Sequence, residues 1–175
     1  MTNTAAETKK EKKVNINDLY LRMIDFSEGN FHDIAHLSGV QGFARAIALG
    51  EGCDDRTREL AEAAAIVHDI ACPLCRIKYG DTRWDHQEAE GGPIAREFLK
   101  KAGLDEADIA RIVFMVSHHH TWSMSDGTDF QILLEADFLQ NAGEQKLAAA
   151  EVHKAAEKLF KTCTGKRLLD AIWKI

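Results

Sequence analysis

The sequence predicts an all-α protein that folds as one compact domain. The chain has 175 residues and only 2 Pro, and the strongest helix formers, Ala, Leu, Glu and Lys, are abundant. Apolar residues recur every three or four positions through successive segments, and no segment shows the alternation typical of a strand. Without an internal repeat or a linker, we expect one helical domain over residues 15–175 behind a flexible polar tail over residues 1–14.

The first three helices are predicted from apolar stripes and from the residues that cap or end each of them. One stripe starts at Ile16 and stops before Gly29. A second starts at His36 and is ended by Gly50. A third is capped by Asp54 or Asp55 and carries small and apolar residues up to the pair His68-Asp69. Small side chains in this third helix allow another helix to approach closely.

The stretch over residues 71–85 predicts a charged surface loop. It contains Pro73 and Gly80 among many charges, and its length favours a functional role. Cys72 and Cys75 form a CxxC without a second pair, which favours structural thiols over a zinc or redox site.

The second half of the chain predicts further helices. One ends at Gly103, and the next begins at Asp105, a capping residue, and leads into His118-His119-His120. Asp137 then lies in an apolar run where a core residue would be expected. Two shorter stripes follow, over residues 147–160 and 168–173.

Composition excludes several classes of protein. The net charge is −6 and no basic stripe lies outside the first residues, so a nucleic-acid polymer is not an expected partner. No segment resembles a signal peptide or a membrane span, so we expect a cytoplasmic protein without membrane contact and with reduced thiols. The composition leaves a homo-oligomer possible.

Buried imidazole and carboxylate groups suggest a metal site, because burying such groups without partners costs several kcal/mol. The groups concerned, in chain order, are His36, His68, Asp69, His86, His118 and Asp137. This order resembles that of the HD-domain metal-dependent phosphohydrolases, through segments 36–40, 64–70 and 135–139. The resemblance implies that His36, His68, Asp69 and Asp137 bind one metal ion. It also implies that His86 and His118 complete a second, with Asp69 shared.

Some assignments stay open at this stage. His32 competes with His36 as the first ligand, and His119 competes with His118. His119 is otherwise a catalytic candidate beside Asp69, as a proton donor to the leaving oxygen or as a group that orients a ligand. Nitrogen and carboxylate donors suit Fe, Mn, Co, Ni or Zn, and Mg is a further candidate.

The function expected from this resemblance is metal-dependent phosphohydrolysis. A metal-activated water would attack phosphorus in a small phosphorylated metabolite, with a nucleotide or dinucleotide as the expected class. Arg76, Lys78 and Arg83 would bind its phosphates. Trp84 and Trp122 are packing residues or, alternatively, stack on a base. The alternative functions are a di-iron oxygenase of HD type and a nucleotide- or metal-binding module without turnover.

Overall fold

The computed structural model describes residues 13–174, and the regular structure in that range is helical. Nine α-helices are formed within it, and a short 3₁₀ turn over Trp122–Met124 joins the sixth helix to the seventh. In order they are α1 (Ile16–Phe26), α2 (Phe31–Gly50), α3 (Asp55–Val67), α4 (Cys72–Tyr79), α5 (Trp84–Lys101), α6 (Glu106–Val116), α7 (Thr128–Glu144), α8 (Ala149–Leu159) and α9 (Cys163–Ile172). The predicted all-α class is confirmed.

Side-chain caps fix where several helices begin. Asn15, Asn30 and Asp54 each accept a hydrogen bond from a backbone N–H in the first turn of α1, α2 and α3. Asp105 does the same for α6, and Thr162 for α9. Each cap satisfies a donor that has no partner within the helix, so short polar residues mark helix starts that can be read from the sequence.

The loop predicted over residues 71–85 is wrong in its first half, where α4 forms. Pro73 lies in the first turn of α4, where a missing N–H removes no helical hydrogen bond. Gly80 ends the helix with a left-handed φ of 78°, which a residue without Cβ adopts freely. The loop that remains is short, because α5 already begins at Trp84.

The core lies around α3, which packs against α1, α2, α6 and α7. Ala63, Ala64 and Ala65 are fully buried there, so these helices approach closely. Helices α5 and α6 pack against each other, and α8 and α9 pack on α7. This arrangement surrounds the C-terminal end of α3, where His68 and Asp69 lie, with other helices.

The predicted tail falls mostly outside the described residues. Within them, Val14 is buried in the core and its N–H donates to Glu59 Oε2 at 3.1 Å. None of the helices in residues 13–174 combines the length and the apolar composition needed to cross a membrane.

Candidate metal centre

Two helices and the turn that follows a third bring four of the predicted ligands together. His36 comes from α2, Asp137 from α7, and His68 and Asp69 from the end of α3. His36 Nε2 lies 3.2 Å from His68 Nε2, 3.5 Å from Asp137 Oδ1 and 3.6 Å from Asp69 Oδ2. His68 Nε2 lies 3.3 Å from Asp137 Oδ1. We call these four residues the primary cluster.

The outer nitrogens of both imidazoles in the primary cluster are already committed. His68 Nδ1 donates to the Ala65 carbonyl oxygen at 2.9 Å, and His36 Nδ1 donates to Glu144 Oε2 at 3.1 Å. A neutral ring with its proton on Nδ1 carries a lone pair on Nε2. The two lone pairs therefore face each other across 3.2 Å, an arrangement that requires a proton or a cation between them.

The charges in the primary cluster oppose the effect of burial on the pKa of His36, Asp69 and Asp137. Burial lowers the pKa of His36, but the hydrogen bond to Asp137 and the charges of Asp69, Asp137 and Glu144 outweigh it and raise the pKa to about 9. Burial also disfavours ionised Asp69 and Asp137, yet the facing imidazoles hold the pKa of both carboxyls far below the usual range. Both aspartates are thus ionised donors at neutral pH.

A second group of donors lies on the other side of Asp69. His119 Nε2 is 3.2 Å from Asp69 Oδ1, and both atoms are inaccessible and form no hydrogen bond of good geometry with the described residues. His119 Nδ1 donates to the Val116 carbonyl oxygen at 2.8 Å, so Nε2 is the ring nitrogen that faces the carboxylate. Donor atoms of Asp69, His119 and His120 lie within 4.8 Å of one another. We call these three residues the secondary cluster.

Gln87 of α5 fixes the tautomer of His120. The Gln87 amide donates from Nε2 to the Thr82 carbonyl oxygen at 2.7 Å, which leaves its Oε1 facing His120 Nε2 at 3.2 Å. His120 Nε2 is therefore the donor and Nδ1 carries the lone pair. Burial, with the charge of His119, lowers the pKa of His120 to about 4, so this ring is neutral at neutral pH.

The structure does not bring His86 or His118 into either cluster. His86 Nδ1 lies 2.7 Å from Asp81 Oδ1, and its ring stacks on Tyr79 at a centroid distance of 3.9 Å. His118 Nδ1 donates to the Phe114 carbonyl oxygen at 2.7 Å. Since α6 ends at Val116, the turn after it directs His119 rather than His118 toward Asp69. His86 and His118 therefore lie outside the two clusters in the described structure.

The other predicted residues also divide into those that lie at the site and those that lie outside it. The side chain of His32 is 75% exposed, which leaves His36 as the histidine of α2 in the primary cluster. Arg76 lines the cavity next to Asp69, whereas Lys78 pairs with Glu90 and Arg83 pairs with Asp85 outside it. Cys72 and Cys75 are buried in α4, and burial raises the pKa of both thiols.

Two residues that contact histidines of the site were missed from the sequence, and they are Gln87 and Glu144. Glu144 follows Asp137 by seven residues, which is two helical turns, so the period of α7 could have placed it on the same face. Nothing local in the sequence indicates the role of Gln87, because His120, which it contacts, lies 33 positions away.

The donors present fit a divalent or transition-metal ion. His36 Nε2 and His68 Nε2 lie 3.2 to 3.7 Å from each other and from carboxylate oxygens of Asp69 and Asp137, near the spacing expected for ligands each about 2.1 Å from one ion. Asp69 Oδ1 and His119 Nε2 are buried and have no hydrogen-bond partner among the described residues. A bound metal ion would satisfy both atoms. Imidazole and carboxylate ligands together favour such an ion over ions that prefer purely thiolate sites.

Comparison with known proteins agrees with this arrangement. The family model described as HD domain matches residues 33–161. A solved structure, named a predicted HD superfamily hydrolase from an uncultured Thermotogales bacterium, superposes with a TM-score of 0.60 at 26% sequence identity. The match covers 89% of this chain and 81% of the other. No curated protein sequence gives a significant match. The chain therefore belongs to the HD-domain family.

Proposed function

We propose that this protein is a metal-dependent phosphohydrolase acting on a small phosphorylated metabolite. The observation that carries the proposal is the 3.2 Å distance between His36 Nε2 and His68 Nε2, with the ionised carboxylates of Asp69 and Asp137 beside them. Family membership supports a bound divalent metal, and the similar structure named a hydrolase supports hydrolysis.

The primary cluster would hold one ion and the secondary cluster a second, with Asp69 contributing to both. In this proposal His119 and His120 take the places expected for His118 and His86. His119 is also a better ligand than a proton donor, because its Nε2 is buried against Asp69 and cannot reach a leaving group in the cavity.

A bound ion would supply Lewis acidity toward a phosphoryl oxygen and would lower the pKa of a coordinated water. The protein's own contribution is to keep each imidazole in one tautomer, with its lone pair directed into the site. Arg76 adds a guanidinium at the cavity wall, where Asp33 holds it through hydrogen bonds of 2.8 and 2.5 Å. The remaining N–H groups of Arg76 suit a phosphoryl oxygen.

The test combines metal content with phosphate release. We expect the purified protein to contain about two ions per chain and to release phosphate from an ester. Asp69→Asn removes the carboxylate charge that both clusters share, so it is expected to lose both ions and all activity. His153→Gln is the matched control, since His153 lies on α8 and hydrogen-bonds the Trp173 carbonyl oxygen instead.

The outcomes separate the candidate functions. Retained turnover in Asp69→Asn with metal content unchanged would refute the proposed site. Oxygen consumption with an organic substrate, in place of phosphate release, would indicate the oxygenase alternative. Binding of phosphate compounds without turnover by the metal-loaded protein would indicate the binding module.

A further inference from the structure

The cavity beside the primary cluster is small and polar. Its volume is about 270 Å³, and its wall includes His36 and Asp69. Pockets that bind drug-sized ligands are typically larger, about 300 to 1,000 Å³, and mostly apolar. Among the described residues that line this cavity, Leu37 and Cys72 are the apolar ones. The cavity thus suits a compact ligand with many polar groups.

The charges at the cavity favour a ligand with one phosphoryl group. Arg76 is the cationic side chain among the described lining residues, and Asp33 already neutralises it. Glu144 adds a negative charge to the same wall. Once metal ions hold one phosphoryl group, the wall offers no surplus positive charge for a second.

The described lining residues include no phenylalanine, tyrosine or tryptophan ring on which a nucleobase could stack. Three exposed aromatic residues, Tyr79, Trp84 and Trp122, do not line the cavity. Tyr79 stacks on His86, and Trp122 contacts Phe138 edge-on at a centroid distance of 6.4 Å. Trp84 is 58% exposed and does not line the cavity. The lining instead offers amide and imidazole groups, from His32, Gln87, Asn141 and Gln145.

We infer that the substrate is the phosphomonoester of a small polyhydroxylated compound, a sugar or polyol phosphate, and not a nucleotide. Amide groups both donate and accept, so they match hydroxyl groups, which do the same. The side chain of Gln145 is exposed at the cavity and forms no hydrogen bond within the described chain, which leaves it available to a hydroxyl. This inference rests on the proposed phosphohydrolase function and narrows its substrate away from the nucleotide or dinucleotide expected from the sequence.

The experiment measures kcat/KM for the metal-loaded full-length protein with five phosphate compounds. They are glycerol 3-phosphate, ribose 5-phosphate, glucose 6-phosphate, AMP and ADP, with p-nitrophenyl phosphate as a generic ester. We expect at least one polyol or sugar phosphate to exceed AMP and ADP roughly tenfold, because an unmatched polar wall disfavours a planar base. A preference for AMP or ADP would overturn the inference and leave the phosphohydrolase function standing. Absence of phosphate release from all six compounds would overturn both.

Two variants locate the recognition in the cavity. Gln145→Leu should lower kcat/KM about tenfold more for the preferred substrate than for p-nitrophenyl phosphate, because the generic ester has no hydroxyl group that Gln145 could bind. Arg76→Gln should weaken competitive inhibition by inorganic phosphate, while Lys78→Gln on the same helix should not, since Lys78 pairs with Glu90 outside the cavity. Equal effects of Gln145→Leu on both esters would contradict hydroxyl recognition.

Discussion

His36 Nδ1 donates to Glu144 Oε2 across 3.1 Å, which joins the middle of the site to the last residue of α7. Glu144 Oε1 in turn accepts from Gln140 Nε2 at 2.8 Å, so the carboxylate is held from both sides. The rings of His68 and His119 are oriented by carbonyl oxygens instead. Among these three histidines, His36 is therefore the one oriented by a side chain that mutation can change.

Replacing Glu144 should weaken metal binding without unfolding the protein. Glu144→Gln keeps the size of the side chain but removes the charge that orients and polarises His36, an effect expected to lower metal affinity about 10- to 100-fold. Titration of the metal-free protein with a divalent ion measures this directly. Glu157→Gln, at an exposed position of α8, is the control and should bind as the wild type does. Unchanged affinity in Glu144→Gln would show that the contact is incidental.

Substitutions of the adjacent residues His118 and His119 should have sharply different effects on metal content. His119→Gln removes the buried nitrogen that faces Asp69, so about one ion per chain should be lost. His118→Gln affects a ring that hydrogen-bonds the Phe114 carbonyl oxygen, and most of the metal should be retained. Elemental analysis of both variants, purified side by side, provides the measurement. The reverse ranking would restore the assignment expected from the sequence.

Gln87 should control the second ion through the tautomer of His120. Gln87→Met has a similar volume but cannot accept from His120 Nε2, so the ring is free to carry its proton on either nitrogen. We expect weaker binding of the second ion by about tenfold, with the first ion unaffected. ¹⁵N NMR of the imidazole nitrogens reports the tautomer without reference to activity. A single unchanged tautomer in Gln87→Met would contradict this role.

The stability of the metal-free protein should fall as pH rises above neutrality. The pKa of His36 is raised from 6.5 to about 9 in the folded state, so its contribution is complete below pH 6.5 and is lost as pH rises through about 9. The pKa values of Asp69 and Asp137 are lowered, so their contribution is present above their usual value of 3.8 and is lost at more acidic pH. Thermal unfolding with a chelator present should therefore show a falling Tm between pH 6.5 and about 9.

Metal binding should show the opposite pH dependence. The ion displaces the proton of His36, so apparent affinity should rise with pH by up to about tenfold per unit until pH 9 is reached. A pH-independent affinity over this range would mean that His36 is not a ligand.

A methyl group at Gly165 should destabilise the fold. Its Cβ would overlap the buried carboxylate of Glu135, which accepts from the backbone N–H groups of Lys161 and Thr162. Gly165→Ala is expected to cost about 1 to 3 kcal/mol of unfolding free energy. Gly42→Ala is the matched control, because nothing lies near its Cβ and alanine favours a helix interior. Chemical denaturation of the two variants compares them.

Local information was enough to predict most of the helices. Helix starts at Asp54 and Asp105 depend on a cap a few residues from its partner. His36, His68, Asp69 and Asp137 were expected from a resemblance to a family pattern, and the structure brings the four side chains together. Periodicity failed over α4, because Pro73 and Gly80 lie at the two helix ends where such residues are compatible with a helix.

The sequence by itself determined an all-α fold with ionisable residues placed where a core would be, because capping and the helical period act over a few residues. Tertiary structure decided which histidine of the triplet faces Asp69, since the helical period no longer sets side-chain direction after α6 ends at Val116. It also decided that Gln87 and Glu144 orient His120 and His36, contacts that span 33 and 108 positions of the chain. Such contacts depend on how whole helices pack, and packing is a property of the complete fold.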